Sequence, residues 1–533
     1  MAEEGKKLKT LFYHWLFGIP LALVYLIGET IYKNHDLSGI TTRLPRFLAM
    51  LVLGGAAVGA AVILLYRGLA WVKRLNVWMW LERVLAWRYI YLGIWLLLTA
   101  VYMICFLAYY PGTFAYDMPA QTWQAYGETE YTTYQPVMHT LLWAFFVRVG
   151  ERLNHEALAL VFYSIFELIC VTAVSTIVIA YVNRITRNGY AVLITFLYYL
   201  LVPTLHLMSF STTKDILYAC FFTLFMMSLY EGTQVESQRN TLAIVIFGIL
   251  SCLFRNNMIY VVVVMLAVSA AFRCPRKFGI FLLAIIAIYG CIVKAIFPMA
   301  GVEEGPRSEM LSVPISQLSG MYVEHPELLN EEERETILAY MPDAEAFNCR
   351  IADGVKSSFE DDLLKEDPGK FLKTYFQIMR KAPVEYLCFF LDLNVNYWYP
   401  GASVPDEYAR RAYIETSSVE KVDFFVASSE NHLPAVRAFY DKVADHTHWS
   451  MNIPGVKYFY SLAFPFMTLI FCLYLTVRNR NRSCILTMTM LVALFLTYLL
   501  GPVSIFRYLY PYYFSMPLYF GMAAKKDAER QKG

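Results

Sequence analysis

Runs of about twenty apolar residues recur along this chain, each bounded by a short polar or basic segment. That is the length an α-helix needs to cross a hydrocarbon layer about 30 Å thick. A backbone in lipid must satisfy its own hydrogen bonds, so such runs admit helices and exclude open sheets. Composition agrees: 58% of the 533 residues are hydrophobic and 17% are charged, against about 25% charged in an average soluble chain. The fold class expected is an all-α polytopic membrane protein.

A window of about 19 residues picks out spans near 11–32, 46–66, 89–109, 156–181, 189–209, 214–230, 240–254, 257–272, 278–297, 455–477, 483–502 and 504–523. Arg255-Asn256-Asn257 separates two of them, which are expected to meet in a tight turn; one long interrupted helix is the alternative. With about twelve spans, the basic segments fall on one side, as the positive-inside rule requires. These are the N-terminal KKLK, 67–88, Arg184 with Arg187, 273–277, 478–482 and the tail with Lys525 and Lys526. No small-residue cleavage site follows the apolar stretch from Leu11, which therefore reads as a first span rather than a signal peptide.

Four regions are expected: 1–88, two spans and a basic loop; 89–297, a transmembrane core with a first outer loop at 110–155; 298–454, an acidic, mostly helical outward insertion; and 455–533, three spans and a tail. The insertion holds about 27 of the 43 acidic residues. Within it, 330–340 reads as a short helix with an acidic first turn, 359–381 as a longer amphipathic helix, and 384–400 as a helix lying on the membrane surface.

Several function classes drop out. There is no P-loop, HExxH or GxSxG pattern, so ATP-driven work, zinc proteolysis and serine hydrolysis are not expected. A net charge of +2 without a basic stripe gives no reason to expect nucleic acid as a partner. The ten cysteines lie mostly inside spans and form no CxxC, so no disulfide framework or CxxC metal site is expected. His446 and His448 read as solvated surface.

Five polar clusters are expected on one side: Asp117, His139, Lys214-Asp215, Arg255-Asn256-Asn257 and Arg507. Charge near the ends of apolar spans is costly, so convergence points to a site. Taken singly, Asp117 would simply cap the helix starting near Met118, and Lys214 would snorkel from an ordinary helix start. Asp215 could cap that helix, pair with Lys214 or bind a metal. Arg255 could grip a phosphate or bridge to Asp117 or Asp215. His139 could bind phosphate or assist proton transfer near neutral pH.

PGTFAYD…YQPVMHT, STTKDILYA, FRNN and FRYLYP together resemble an uncharacterised bacterial family of multi-spanning GT-C-like proteins. More distantly, an aspartate in the first large outer loop resembles the GT-C membrane glycosyltransferases, among them protein O-mannosyltransferases and aminoarabinose transferases. The likeness runs from about residue 89 to the C-terminus. It implies transfer of a sugar from a polyprenyl-phosphate or diphosphate donor to an envelope glycan, glycolipid or protein, at the outer face of the plasma membrane. It implies Asp117 and His139 as catalytic groups, with Asp117 the base and burial raising its pKa. Lys214, Arg255 and Arg507 would hold the donor phosphate, and Tyr116, Gln121, Asp215, Asn256, Asn257 and Tyr508 would line the substrate. The first loop lacks a DxD or DE pair, so no metal is assigned; a divalent cation stays open and no other cofactor is expected. A lipid flippase or polysaccharide transporter, and an envelope polymerase or ligase, are the competing functions.

Overall fold

The computed structural model describes residues 19–40, 45–49, 52–53, 82–114, 117–155, 157–235, 237–402, 431–444 and 461–525. Most of the second span (46–66), Tyr116, His446 and His448 therefore lie outside the described residues. Those residues are all-α, with no strand beyond isolated bridges such as Ile351 to Val503.

Among the described residues from Ile90 on, twelve helices of nine residues or more form the bundle and its first loop. They are α1 (Ile90–Ala108), α2 (Met118–Tyr126), α3 (Val137–Arg152), α4 (Ala157–Thr186), α5 (Gly189–Leu201), α6 (Lys214–Gln234), α7 (Gln238–Phe254) and α8 (Met258–Ala271), then α9 (Arg276–Met299), α10 (Phe464–Asn479), α11 (Ile485–Tyr498) and α12 (Phe506–Ala524). Four of them, α1, α4, α6 and α9, are long and apolar enough to cross a membrane. α4 and α6 sit at the centre, whereas α1 and α9 keep Leu92, Leu96, Ile280 and Leu283 on the outside. Unpaired apolar faces of that kind suit contact with lipid.

The Arg255 turn reverses the chain. Gly232 meets Ile244 and Phe278, and Gly248 meets Ile285, so α7 and α9 run parallel and α8 must run back between them. One interrupted helix is excluded. A Cβ on Gly248 would come within 2.4 Å of the tip of the Ile285 side chain, so the two helices approach closely here.

The two ends of the bundle differ. One carries Arg184 paired with Glu231, Tyr181 donating to Glu231, Gln234 bonded to Ser483, and Asn481 donating to the Met522 carbonyl. The other receives α2, α3 and the insertion.

The insertion has its own small core of Ile315, Leu318, Ile337, Tyr340, Phe371 and Phe389. Glu331–Tyr340 is helical, opened by a capping box between Asn330 and Glu333. The amphipathic stretch expected over 359–381 is two helices, Asp361–Glu366 and Pro368–Lys381, because Asp367-Pro368 stops the first and starts the second. Residues 384–400 fall in two helices, Pro383–Leu393, which keeps Val384 and Leu387 exposed, and Val395–Trp398, with Val395, Trp398 and Tyr399 against Ile31 of a helical stretch over 19–34. Tyr397 donates to the Val503 carbonyl and accepts from the Ile505 amide, so the insertion grips the segment that leads to Arg507.

Candidate functional site

The clusters predicted from sequence come together at the insertion end. Pro111 and Gly112 turn the chain out of α1, and Asp117 stands at the head of α2, yet its side chain makes no capping bond. Instead Asp117 Oδ2 accepts from Lys214 Nζ at 2.8 Å and from Arg507 Nη1 at 2.9 Å. Lys214 opens α6 and also donates to Gln135; Arg507 is the second residue of α12. Residues nearly four hundred positions apart thus share one carboxylate oxygen.

A second ion pair lies alongside. Asp215, fully buried in the first turn of α6, pairs with Arg255 and accepts from the Thr213 hydroxyl. It neither pairs with Lys214 nor stands free for a metal. Arg255 Nε also donates to Asn257 at 3.1 Å, and its guanidinium lies over Tyr218, Tyr498 and Tyr508 at 5.6, 4.9 and 4.7 Å. Tyr508 also faces Arg507, at 5.1 Å, and so joins the two ion pairs. Asn257 donates to Thr497, and Asn256 to the Thr133 carbonyl, which ties the Arg255 turn to α11 and to the first loop.

The electrostatics reverse one expectation. Burial alone would raise the Asp117 pKa, but the Arg507 and Lys214 charges outweigh it and hold the carboxyl well below its usual range. Asp117 in this state is a fixed anion, not a poised base. His139 is also placed differently from either role considered for it. It is fully buried, with Nδ1 2.8 Å from Gln121 Oε1 and Nε2 2.7 Å from the Tyr163 hydroxyl. Burial, then the Lys214 charge, lower its pKa to about 3, against the opposing pull of Asp117. At neutral pH it is an uncharged hydrogen-bonding post and has no charge to offer a phosphate.

One residue escaped the sequence reading. Glu167, in the middle of α4, is fully buried; its Oε1 lies 3.5 Å from the Tyr163 hydroxyl and its Oε2 has no hydrogen-bond partner. The backbone of Thr212 faces its carboxyl group, and Thr212 itself has φ +39°, a strained conformation for a β-branched residue. A lone acid in FYSIFELIC was the available signal.

The insertion roofs the site. The Thr133 amide donates to the Glu303 carbonyl and the Glu303 amide to the Tyr131 carbonyl, each at 2.8 Å, the Gly305 amide donates to Thr133 Oγ1, and the Gly305 backbone lies against Tyr134. Burial, with Glu309 and Asp117 nearby, pushes the Tyr134 phenol up to about 12.

Residues 110–533 match the model of a family of unknown function, DUF6020. The chain belongs to DUF6020. The matched region begins one residue after α1 and its Tyr109 cap, so every charged group of this site lies within the DUF6020 part of the chain. No curated protein and no solved structure matches the chain.

Proposed function

We propose that this DUF6020 protein is a GT-C-like membrane glycosyltransferase that moves a sugar from a polyprenyl-phosphate or diphosphate donor to a cell-envelope acceptor. The observation that carries the reading is one carboxylate clamped by two cations, Asp117 between Lys214 and Arg507, at the end of an apolar bundle. Two cations fixed on one oxygen by 2.8 and 2.9 Å contacts make a ready anion site, with the internal carboxylate in the place of a substrate phosphate. Arg255 stands behind Tyr508 as a third positive group, and the tyrosine wall offers an apolar face to a sugar ring.

The donor phosphate takes over Lys214 and Arg507. Asp117 then loses its countercharges, so its proton affinity rises when an acceptor hydroxyl arrives. The acceptor oxygen bonds to the anomeric carbon while the bond from that carbon to the phosphate oxygen breaks. The electron pair leaves with the phosphate, the cations stabilise it, and Asp117 takes the acceptor proton. A single displacement inverts the anomeric centre. Neutral His139 orients Gln121 beneath the loop. About twelve spans and an extracytoplasmic site in the plasma membrane complete this reading.

Purified full-length protein with short-chain polyprenyl-phosphate sugars tests it through sugar transfer and lipid-phosphate release. Charge-assisted hydrogen bonds are worth about 1.5–3 kcal/mol, so Lys214→Ala and Arg507→Ala should each weaken donor binding roughly 10- to 100-fold. Unaltered donor affinity in both would remove the phosphate clamp.

A flippase or transporter is the second reading, and Glu167 favours it, because a buried acid inside a span suits proton coupling. Lipid movement across vesicles without a covalent product, abolished by Glu167→Gln, would select it.

A further inference from the structure

A separate cluster joins the start of the chain to the insertion. His35 follows the helical stretch 19–34, Cys349 lies in the turn before residue 351, and Asp392 is near the end of Pro383–Leu393. His35 Nδ1 is 2.6 Å from Asp392 Oδ2 and 3.6 Å from Cys349 Sγ, and the three ligand atoms all lie within 4.8 Å of one another. The other Asp392 oxygen is 3.4 Å from Arg350 Nε, while Arg350 Nη2 donates to the Tyr32 carbonyl at 3.0 Å. Arg350 therefore fixes the carboxylate from one side and leaves Oδ2 directed at the imidazole and the thiol.

We propose that His35, Cys349 and Asp392 bind a divalent transition metal of the zinc class, with water as the fourth ligand. One nitrogen, one sulfur and one carboxylate oxygen form a donor set that suits zinc and poorly suits calcium or magnesium. Tetrahedral bonds of about 2.0 Å to nitrogen and 2.3 Å to sulfur put those atoms about 3.5 Å apart, close to the observed 3.6 Å. The nitrogen-to-oxygen distance must open by somewhat under 1 Å, from 2.6 Å to about 3.3 Å. His35 is exposed and can swing that far, whereas Asp392 is buried and held. Arg350 on the far carboxylate oxygen acts as an outer partner that orients a ligand.

The position gives the metal a mechanical role. It would close loops of 314 and 357 residues, pinning the stretch 19–34 to the insertion. Ile351, two residues beyond Cys349, bridges to Val503, and the Ala352 amide donates to the Pro502 carbonyl at 2.8 Å. The clasp therefore continues into the segment that carries Arg507. This inference stands independently of the glycosyl-transfer reading.

The test uses tag-free full-length protein in detergent, with zinc as the probe and cobalt as its spectroscopic substitute. One zinc per chain is expected after desalting, with a thiolate-to-cobalt charge-transfer band in the cobalt form. Cys349→Ser should abolish the band, and His35→Gln should weaken zinc binding at least about tenfold. Both positions are partly exposed, so these variants should fold; size-exclusion profiles check that. Zinc should also protect Cys349 from a maleimide, read by peptide mapping. Absence of saturable zinc, a cobalt form without a thiolate band, or equal binding by both variants would each overturn the proposal.

Discussion

Removing one negative charge from the site should tighten its hold on phosphate. Asp117 occupies Lys214 and Arg507 through two charge-assisted hydrogen bonds of 2.8 and 2.9 Å, and a lipid phosphate must displace it. In Asp117→Asn the amide oxygen still accepts from both cations, so the packing survives, but the acceptor's charge is gone. The bonds stay charge-assisted through their donors, at about 1.5–3 kcal/mol each, and losing the opposite charge moves each toward the lower end of that range, by about 1 kcal/mol for each bond. The competitor is thus weaker by about 2 kcal/mol, which is a roughly 30-fold gain in affinity. Isothermal titration of a short-chain polyprenyl phosphate into wild type and variant, at fixed pH and salt, measures it. Turnover should move the other way, falling at least about 100-fold for loss of the base. Equal or weaker lipid-phosphate binding by Asp117→Asn would refute the idea that this acid holds the phosphate's place.

Other outcomes follow from burial and charge. His139 titrates near 3 in the fold and near 6.5 in an unfolded chain, so the neutral ring stabilises the fold fully above about pH 6.5. That stabilisation is lost as pH falls toward 3, by about 2 kcal/mol between pH 7 and 5; His139→Gln should remove this part of the pH slope in detergent unfolding. Arg255→Ala leaves Asp215 buried without its cation and should cost about 3–5 kcal/mol, whereas Arg255→Met with Asp215→Asn should recover much of it. Failure of the double variant to recover would place the loss in the tyrosine stack instead. A Cβ at Gly305 would meet the Tyr134 amide nitrogen at 2.7 Å, so Gly305→Ala should cost about 1–3 kcal/mol by overpacking. The same change should weaken donor binding, since it displaces the loop that carries Gln135; normal affinity would separate the roof from the site.

How much of this was legible depended on the kind of signal. Helices such as α1 and α8 are written in uninterrupted apolar runs, and the turn at Arg255 is written in three polar residues between two such runs. The convergence of Asp117, Lys214, Arg255 and Arg507 followed from span parity, which assigns each helix end to a side without any knowledge of contacts. Pairing did not follow. Parity cannot say that Lys214 reaches Asp117 instead of its neighbour Asp215, because adjacent residues on a helix point about 100° apart. The sign of the Asp117 shift was lost with the pairing, since burial and countercharge push it in opposite directions. Asp392 falls within the stretch 384–400 expected to lie on the membrane, and its partners His35 and Cys349 lie more than three hundred and more than forty residues away in sequence, with no motif to link them.

The two acids answer one physical problem in different ways. Three cations at the mouth of an apolar bundle cannot stay buried without countercharge. Asp215 is fully buried and bound to Arg255, whose guanidinium is boxed by three tyrosines, so no substrate can reach between them. Asp117 stands at the head of α2 with 22% of its side chain accessible, and its partners donate from the first turns of α6 and α12. Only the second pair can exchange a protein carboxylate for a substrate anion. Asp215→Asn should therefore lower the unfolding midpoint while donor affinity changes little, whereas Asp117→Asn, which weakens two ion-pair bonds, should lower the midpoint and also raise donor affinity. If Asp215→Asn shifts donor affinity as much as Asp117→Asn does, the division between a structural and an exchangeable acid is wrong.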